Sequence, residues 1–174
     1  MIKGPLLAGA ARDLILDYLK ANINNEIALA DNFRSDGINV EPIDSGAFYI
    51  SEAFLSKDPT AIYVLKDGAM RFLYDERPNW LQAEIPFMIV ASVQDVGADV
   101  LEQKAESYSR ILFKLLDQRD LQDGANRIRV HLVIESLETS DLMAKKLTEV
   151  GQEFRRDVIL KIKALHYAAR FTDT

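Results

Sequence analysis

The run Glu84-Ile85-Pro86-Phe87-Met88-Ile89-Val90-Ala91-Ser92-Val93-Gln94 carries the clearest strand signal in the chain. Ile85, Phe87, Ile89, Ala91 and Val93 recur at every second position, while Glu84, Ser92 and Gln94 occupy alternate ones. A period of two places these sets on opposite faces of a β-strand. Met88 and Val90 interrupt the polar set, so the second face is half apolar. It needs a cover of its own, from another element or another subunit. Pro86 has no N–H to give a ladder, which predicts a sheet edge or the start of the strand.

Working outward, Asp99 to Gln118 reads as a helix with the apolar stripe Leu101, Ala105, Tyr108, Leu112 and Leu115, widened by Ile111 and Leu116. Asp99 with Glu102 fits an N-cap and its reciprocal acid. Two further strands follow. Ile128, Val130, Leu132 and Ile134 alternate with Arg129, His131 and Glu135, and Val158, Leu160, Ile162 and Ala164 alternate with Asp157, Lys161 and Lys163. The charged connection Glu138–Gly151 predicts a short helix or an extended hairpin tip.

Upstream, Leu7, Ala11, Leu14, Ile15 and Tyr18 predict a first helix over Leu6–Ile23, ended by Asn22, Asn24 and Asn25, with a short second helical piece over Glu26–Phe33. Ser35–Thr60 is an irregular insertion, with turns at Asp36-Gly37 and Asp44-Ser45-Gly46 and a short strand at Ala47–Ser51. Ala61–Leu65 reads as a strand, Lys66-Asp67-Gly68 as a hairpin turn into Ala69–Tyr74, and Arg77-Pro78-Asn79 as a break. The expected fold is a single α+β domain over 1–174. Its sheet is mainly antiparallel, with a long helix packed on one face and an N-terminal helix.

The 174 residues, 48% hydrophobic and 28% charged, fall in the globular range. No cysteine is present, which removes disulfides, thiolate nucleophiles and cysteine-based zinc sites. No apolar stretch approaches the roughly 20 residues that a membrane helix needs, so no membrane partner is expected. The net charge of −6 opposes tight wrapping of nucleic acid.

No motif for nucleotide, metal or nucleophilic chemistry emerges, and no catalytic residue, cofactor or metal is expected. His131 and His166 read as surface or edge histidines opposite the apolar set. Arg155-Arg156 reads as a solubilising pair or a contact for an acidic partner. Tyr63, Phe72, Tyr74, Trp80 and Phe87 cluster around the middle strands, and Trp80 is the one placed to project as an interface anchor. Trp80, Tyr74, Met88, Val90, Arg155 and Arg156 therefore form the candidate interface.

The order of Ile85–Gln94, Asp99–Gln118, Ile128–Glu135 and Asp157–Tyr167 behind an N-terminal helix resembles the tail-terminator and tail-completion (neck) proteins of tailed bacteriophages, a family that includes the minor tail protein U of phage lambda. Ser35–Thr60 and Glu138–Gly151 are longer than that pattern requires. The resemblance implies a virion subunit, made in the host cytoplasm, that forms a ring, commonly a hexamer, on the head-proximal end of the tail tube. Its partners would be further copies of itself, the tube protein and a head-completion or connector protein, with DNA passing through without specific binding. Two other readings stay open. One is a small binding or adaptor module using Trp80 and the Ser35–Thr60 loop, and the other is an enzyme of unfamiliar type using His131 and His166.

Overall fold

A computed structural model describes residues 4–31, 40–51, 60–74, 80–123, 128–149 and 151–169. The Asp36-Gly37 turn and the Arg77-Pro78-Asn79 break lie outside them, as do the side chains of Tyr74 and Trp80. The elements are α1 (Gly4–Asp31), β1 (Phe48–Tyr49), β2 (Thr60–Lys66), β3 (Arg71–Tyr74), β4 (Trp80–Asp95), α2 (Ala98–Leu116), β5 (Asp120–Asp123), β6 (Ile128–Thr139), β7 (Met143–Thr148) and β8 (Gly151–Ala169). Among the described residues, eight strands join one mostly antiparallel sheet of order β1-β2-β4-β8-β6-β5, with β3 on β4 and β7 on β8. This is the expected α+β class.

The sheet is built from two long hairpins lying side by side. β2 and β3 do not pair with each other. Both run antiparallel to β4 on the same side, Thr60–Lys66 against residues 93–87 and Arg71–Tyr74 against residues 84–81. They are one strand interrupted at 67–70, so the turn expected at Lys66-Asp67-Gly68 is not a hairpin. Likewise β6 and β7 follow one another along β8, interrupted at 140–142. Residues 143–148 thus form a strand, the extended alternative for this connection. β4 and β8 pair along their whole shared length, Trp80↔Ala169 to Asp95↔Phe154. The two hairpin tips therefore point to opposite ends of the sheet.

Pro86 corrects its expectation in an instructive way. It sits inside β4 and not at its start, paired to β8 on one side only. The Asp67 N–H donates to the Pro86 carbonyl at 2.9 Å, so that side of Pro86 faces the 67–70 interruption. In an antiparallel strand a residue's N–H and C=O point to the same neighbour. The missing donor falls where the adjacent strand is broken. Gly68 makes that break with φ 101°, a conformation L side chains rarely adopt.

The odd-numbered residues 83–93 of β4 face the helices together with Ile62, Val64, Val130, Leu132, Val158, Leu160, Ile162 and Ala164. α2 lies over β4, β6 and β8, and α1 packs beside it against β2, β5 and β6. The whole predicted stripe of α2, Leu101 to Leu116, is buried. The capping box is not formed. Gly97 is the N-cap, its N–H is taken by Asp95 Oδ1 at 3.1 Å, and Asp99 lies in the first turn, where a negative charge suits the helix dipole.

The first helix does not stop at the asparagines. α1 runs on to Asp31, into the expected second piece, and Asn24 is bonded elsewhere. Its Nδ2 donates to the Ile43 carbonyl at 2.9 Å, and its Oδ1 accepts the Ile43 N–H at 2.8 Å. The side chain acts as a surrogate strand partner and moors the 40–47 segment to the helix. The Asp44 turn forms as expected, with Oδ1 accepting the Gly46 N–H at 2.8 Å.

Candidate assembly surface

The central strands outrun α2. At about 3.3 Å per residue, the 16 residues of β4 span ~53 Å, whereas the 19 residues of α2 span ~28 Å at 1.5 Å each. Among the described residues neither helix packs substantially against β3 or β7. Among the described residues each of these strands pairs with a single neighbour, β4 or β8. Three of the nine most exposed large apolar side chains among the described residues lie where β7 projects, Leu142, Met143 and Leu147, and a fourth, Leu137, lies on the outer strand β6. Leu147 is 80% exposed. At the opposite end Phe72 on β3 is 40% exposed. Apolar groups in water are unfavourable, so the cluster at the β7 end marks a contact surface, and Phe72 marks a second at the opposite end.

The base of the β7–β8 arm is clamped by the Arg155-Arg156 pair. Arg156 projects to the helix face, where Nε donates to the Ser140 carbonyl at 2.8 Å and a terminal nitrogen pairs with Glu102 of α2. Arg155 lies on the other face and makes a bidentate bridge to Asp157, both contacts 2.8 Å. That bridge raises the Arg155 pKa. Ser140 closes the clamp, with its N–H donating to the Asp157 carbonyl at 2.8 Å and its Oγ accepting the Asp157 N–H at 2.9 Å. Both arginines are thus engaged inside the chain.

The second face of the sheet is closed by its own side chains on one side. Ala61, Tyr63, Leu65 and Val90 are buried, with Tyr49, Met88 and Ile159 packed against them. The Tyr49 and Tyr63 rings stack at 5.3 Å. Val90 keeps only 8% of its surface, while Met88 is half-buried. Of the two, Met88 offers more surface to a partner. Trp80 and Tyr74 hold backbone positions at the β3–β4 end, paired with Ala169 and Leu81. The six candidates therefore do not form one patch. Tyr74 and Trp80 lie at one end of the sheet, Arg155 and Arg156 at the other, and Met88 and Val90 between.

Across β4, β8 and β6 this face carries a charged ladder. Lys163 bridges Glu84 at 2.8 Å and Glu135 at 2.9 Å. The Lys163 hydrogen bond holds the Glu84 carboxyl below its usual range, and the bonds to Glu135 and Glu84 raise Lys163. Glu135 stands at the irregularity between Ile134 and Ser136, where β6 carries an extra residue relative to β8. β5 covers β6 only as far as His131, and the Leu132 N–H reaches the Arg119 carbonyl at 2.8 Å. From Val133 to Thr139 the outer edge of β6 has no strand partner among the described residues, and Glu135 to Thr139 are exposed.

The two histidines are on opposite faces, because Val130 pairs with His166 and His131 with Leu165. His166 corrects its expectation. It is in phase with Val158 to Ala164, not opposite them, and is buried to 1% exposure. Its Nδ1–H donates to the Arg129 carbonyl at 3.1 Å, while burial pushes its pKa down. His131 lies on the outward face, with Nδ1 2.9 Å from Asp120 Oδ1 and Nε2 3.1 Å from Gln118 Oε1. The pair does not converge on one site. The sequence reading missed the Asn24 mooring and the Ser140 clamp, whose only local signals are polar residues at helix and loop positions. Among the described residues no group of three or more histidine or acidic side chains is arranged to hold a metal ion, and no helix is long and apolar enough to cross a membrane.

No protein-family model matches the chain, and no curated protein matches it in sequence. Among solved structures, a chain of the virion of a native gene transfer agent (GTA) particle is similar over 84% of this chain and 94% of that one, at 14% identity and a TM-score of 0.41. A superposition that loose does not distinguish shared function from shared architecture.

Proposed function

We propose that this chain is a structural virion subunit of the tail-terminator or tail-completion kind. It assembles into a ring, taken as hexameric, at the head-proximal end of the tail tube and joins the tube to the head or connector. It acts by contact and not by catalysis, with further copies, the tube protein and a head-completion or connector protein as partners. The observation that carries this reading is the excess of strand over helix. A sheet about twice as long as the α2 that lies across it projects a hairpin from each end. Exposed apolar side chains lie on both projections. Two different contact surfaces at opposite ends of a subunit suit head-to-tail association, and such contacts close into rings when the rotation allows. The acidic balance fits a lumen that DNA crosses without adhering.

The test is the solution mass of the purified protein, with negative-stain imaging alone and after mixing with tail tubes. A closed ring, free or on the tube end, is expected. A strict monomer that also fails to bind tubes refutes the reading.

A further inference from the structure

The geometry points to a specific contact between copies: the outer edge of β3 in one copy pairs, antiparallel, with the open edge of β6 in the next, continuing one sheet from subunit to subunit. The inference rests on the ring reading above and names its interface.

Four observations select these edges. First, β3 and the 133–139 stretch of β6 lack an outer strand partner among the described residues. They also lie toward opposite edges of the sheet, so joining them generates a head-to-tail series and not a closed pair. Second, the strand directions are compatible. β2 and β3 run antiparallel to β4, β4 to β8, and β8 to β6. β3 and β6 therefore run in opposite directions within a copy. A neighbour in the same orientation, related by an axis roughly along the strands, brings them together antiparallel.

Third, one register satisfies both side-chain chemistry and face. Phe72 pairs with Ala83 and Leu137 with Leu160, so both project to the helix face, 40% and 39% exposed. Setting Phe72 opposite Leu137 covers two exposed apolar groups at once. The same register sets Arg71 opposite Glu138 on the other face, since these pair with Glu84 and Ile159 in their own copies. Arg71 and Glu138 are both exposed. Opposite charges directly across a ladder are favourable, as are aromatic–aliphatic pairs. In this register Arg71 to Leu73 meet Glu138 to Ser136, beyond the irregularity, and Tyr74 falls opposite the extra residue at Glu135.

Fourth, the stagger is of the kind a closed sheet requires. Phe72 lies at the level of His166 on β8 and Leu137 at the level of Leu160. Neighbours are thus displaced by roughly six residues along the strands, and closing a sheet needs such a displacement. The extra residue and Glu135 guard the β6 edge against indiscriminate pairing, while Arg71 on β3 matches the charge of Glu138.

The absence of native cysteine makes the contact directly testable. Phe72→Cys is combined in turn with Ser136→Cys, Leu137→Cys and Glu138→Cys, and each protein is oxidised at high concentration. The Phe72/Leu137 pair is expected to give a ladder of covalent multimers ending at the ring size, with the flanking pairs weaker. Single variants are expected to give no ladder. Arg71→Glu should weaken assembly, and adding Glu138→Arg should restore it. A ring seen by imaging with no cross-link in any pair, and no effect of Arg71→Glu, overturns this interface while leaving the ring reading standing. Dimers from Leu137→Cys alone also overturn it, because they show β6 pairing with itself. A protein that neither cross-links nor forms rings, alone or on tubes, removes both proposals.

Discussion

Replacing Arg156 with Met tests whether the β7–β8 arm is held as described. The substitution keeps most of the stem and removes the guanidinium. The lost Nε–H bond to the Ser140 carbonyl is charge-assisted, 2.8 Å long, and made by a side chain that is 17% exposed. A hydrogen bond to a charged group contributes about 1.5–3 kcal/mol. The lost Glu102 partner is 70% exposed, which places that ion pair in the range of about 0–1 kcal/mol. Water can reach the freed carbonyl in part, so the lower half of the combined range applies, ~2 kcal/mol. The arithmetic also ranks the partners: Glu102→Gln should cost no more than about 1 kcal/mol. Urea unfolding reads the global term as a lower midpoint at unchanged slope. Hydrogen exchange reads the local one, with amide protection in Met143–Thr148 falling more than in β4. An Arg156→Met protein with wild-type midpoint and wild-type β7 protection refutes the clamp. A Glu102→Gln loss as large as that of Arg156→Met refutes the ranking.

Three further outcomes follow from single side chains. Asn24→Ala removes two hydrogen bonds and leaves the Ile43 N–H and C=O without their partner, which should cost about 2–3 kcal/mol in urea unfolding. Asn22→Ala, which loses only a bond to the Tyr18 carbonyl within the helix, should stay within about 0.5 kcal/mol; equal effects would refute the mooring. Burial lowers the His166 pKa below its ordinary 6.5, so as pH falls below that value the unfolded chain takes up a proton that the native one refuses. Stability is then complete above about pH 6.5 and is lost as pH falls toward the folded value, by at most ~1.4 kcal/mol per pH unit. His166→Asn should flatten the stability–pH slope between about pH 7 and 5, and an unchanged slope counts against the assignment. Pro86→Ala should change stability by no more than about 1 kcal/mol, because the restored N–H faces the strand interruption; a larger loss would show that the ring itself holds the break.

The fold class was legible because the signals that decide it are local. Alternation at Ile85–Val93 and the stripe Leu101–Leu116 depend on burial of consecutive faces of one element, and each appears in the core as read. What escaped depends on partners distant in sequence. The asparagines of α1 are poor helix formers, yet Asn24 is worth more as a ligand for Ile43, 19 residues away, than as a helix terminator. Pro86 breaks a ladder only if a neighbour demands its N–H, and whether it does depends on where the adjacent strand is broken. The turn at Asp67-Gly68 has hairpin chemistry but serves as that interruption, because β4 spans it and pairs on both sides. Turn residues report local geometry, not which strands meet.

The candidate contact surface was less legible than the fold for a related reason. Sequence shows what a residue is, whereas exposure depends on what surrounds it. Arg155 and Arg156 look like an unpaired basic patch until Asp157, Ser140 and Glu102 are brought beside them, after which their charge is largely used. Val90 looks like an apolar residue on an open face until Tyr63, Leu65 and Ala61 close over it. Leu137, Leu147 and Phe72, by contrast, sit in unremarkable strand sequence and are exposed because they lie on outer strands, Leu137 and Phe72 beside the buried Leu160 and Ala83. The excess length of the sheet was readable only as a ratio, β4 and β8 against α2, and a ratio of element lengths requires all the boundaries. A sheet that overshoots its helical cover leaves apolar strand ends in water unless something else covers them. For a chain whose two overshooting ends differ in sequence, charge and edge, a copy of itself in the same orientation is a cover that supplies the complementary edge in every instance.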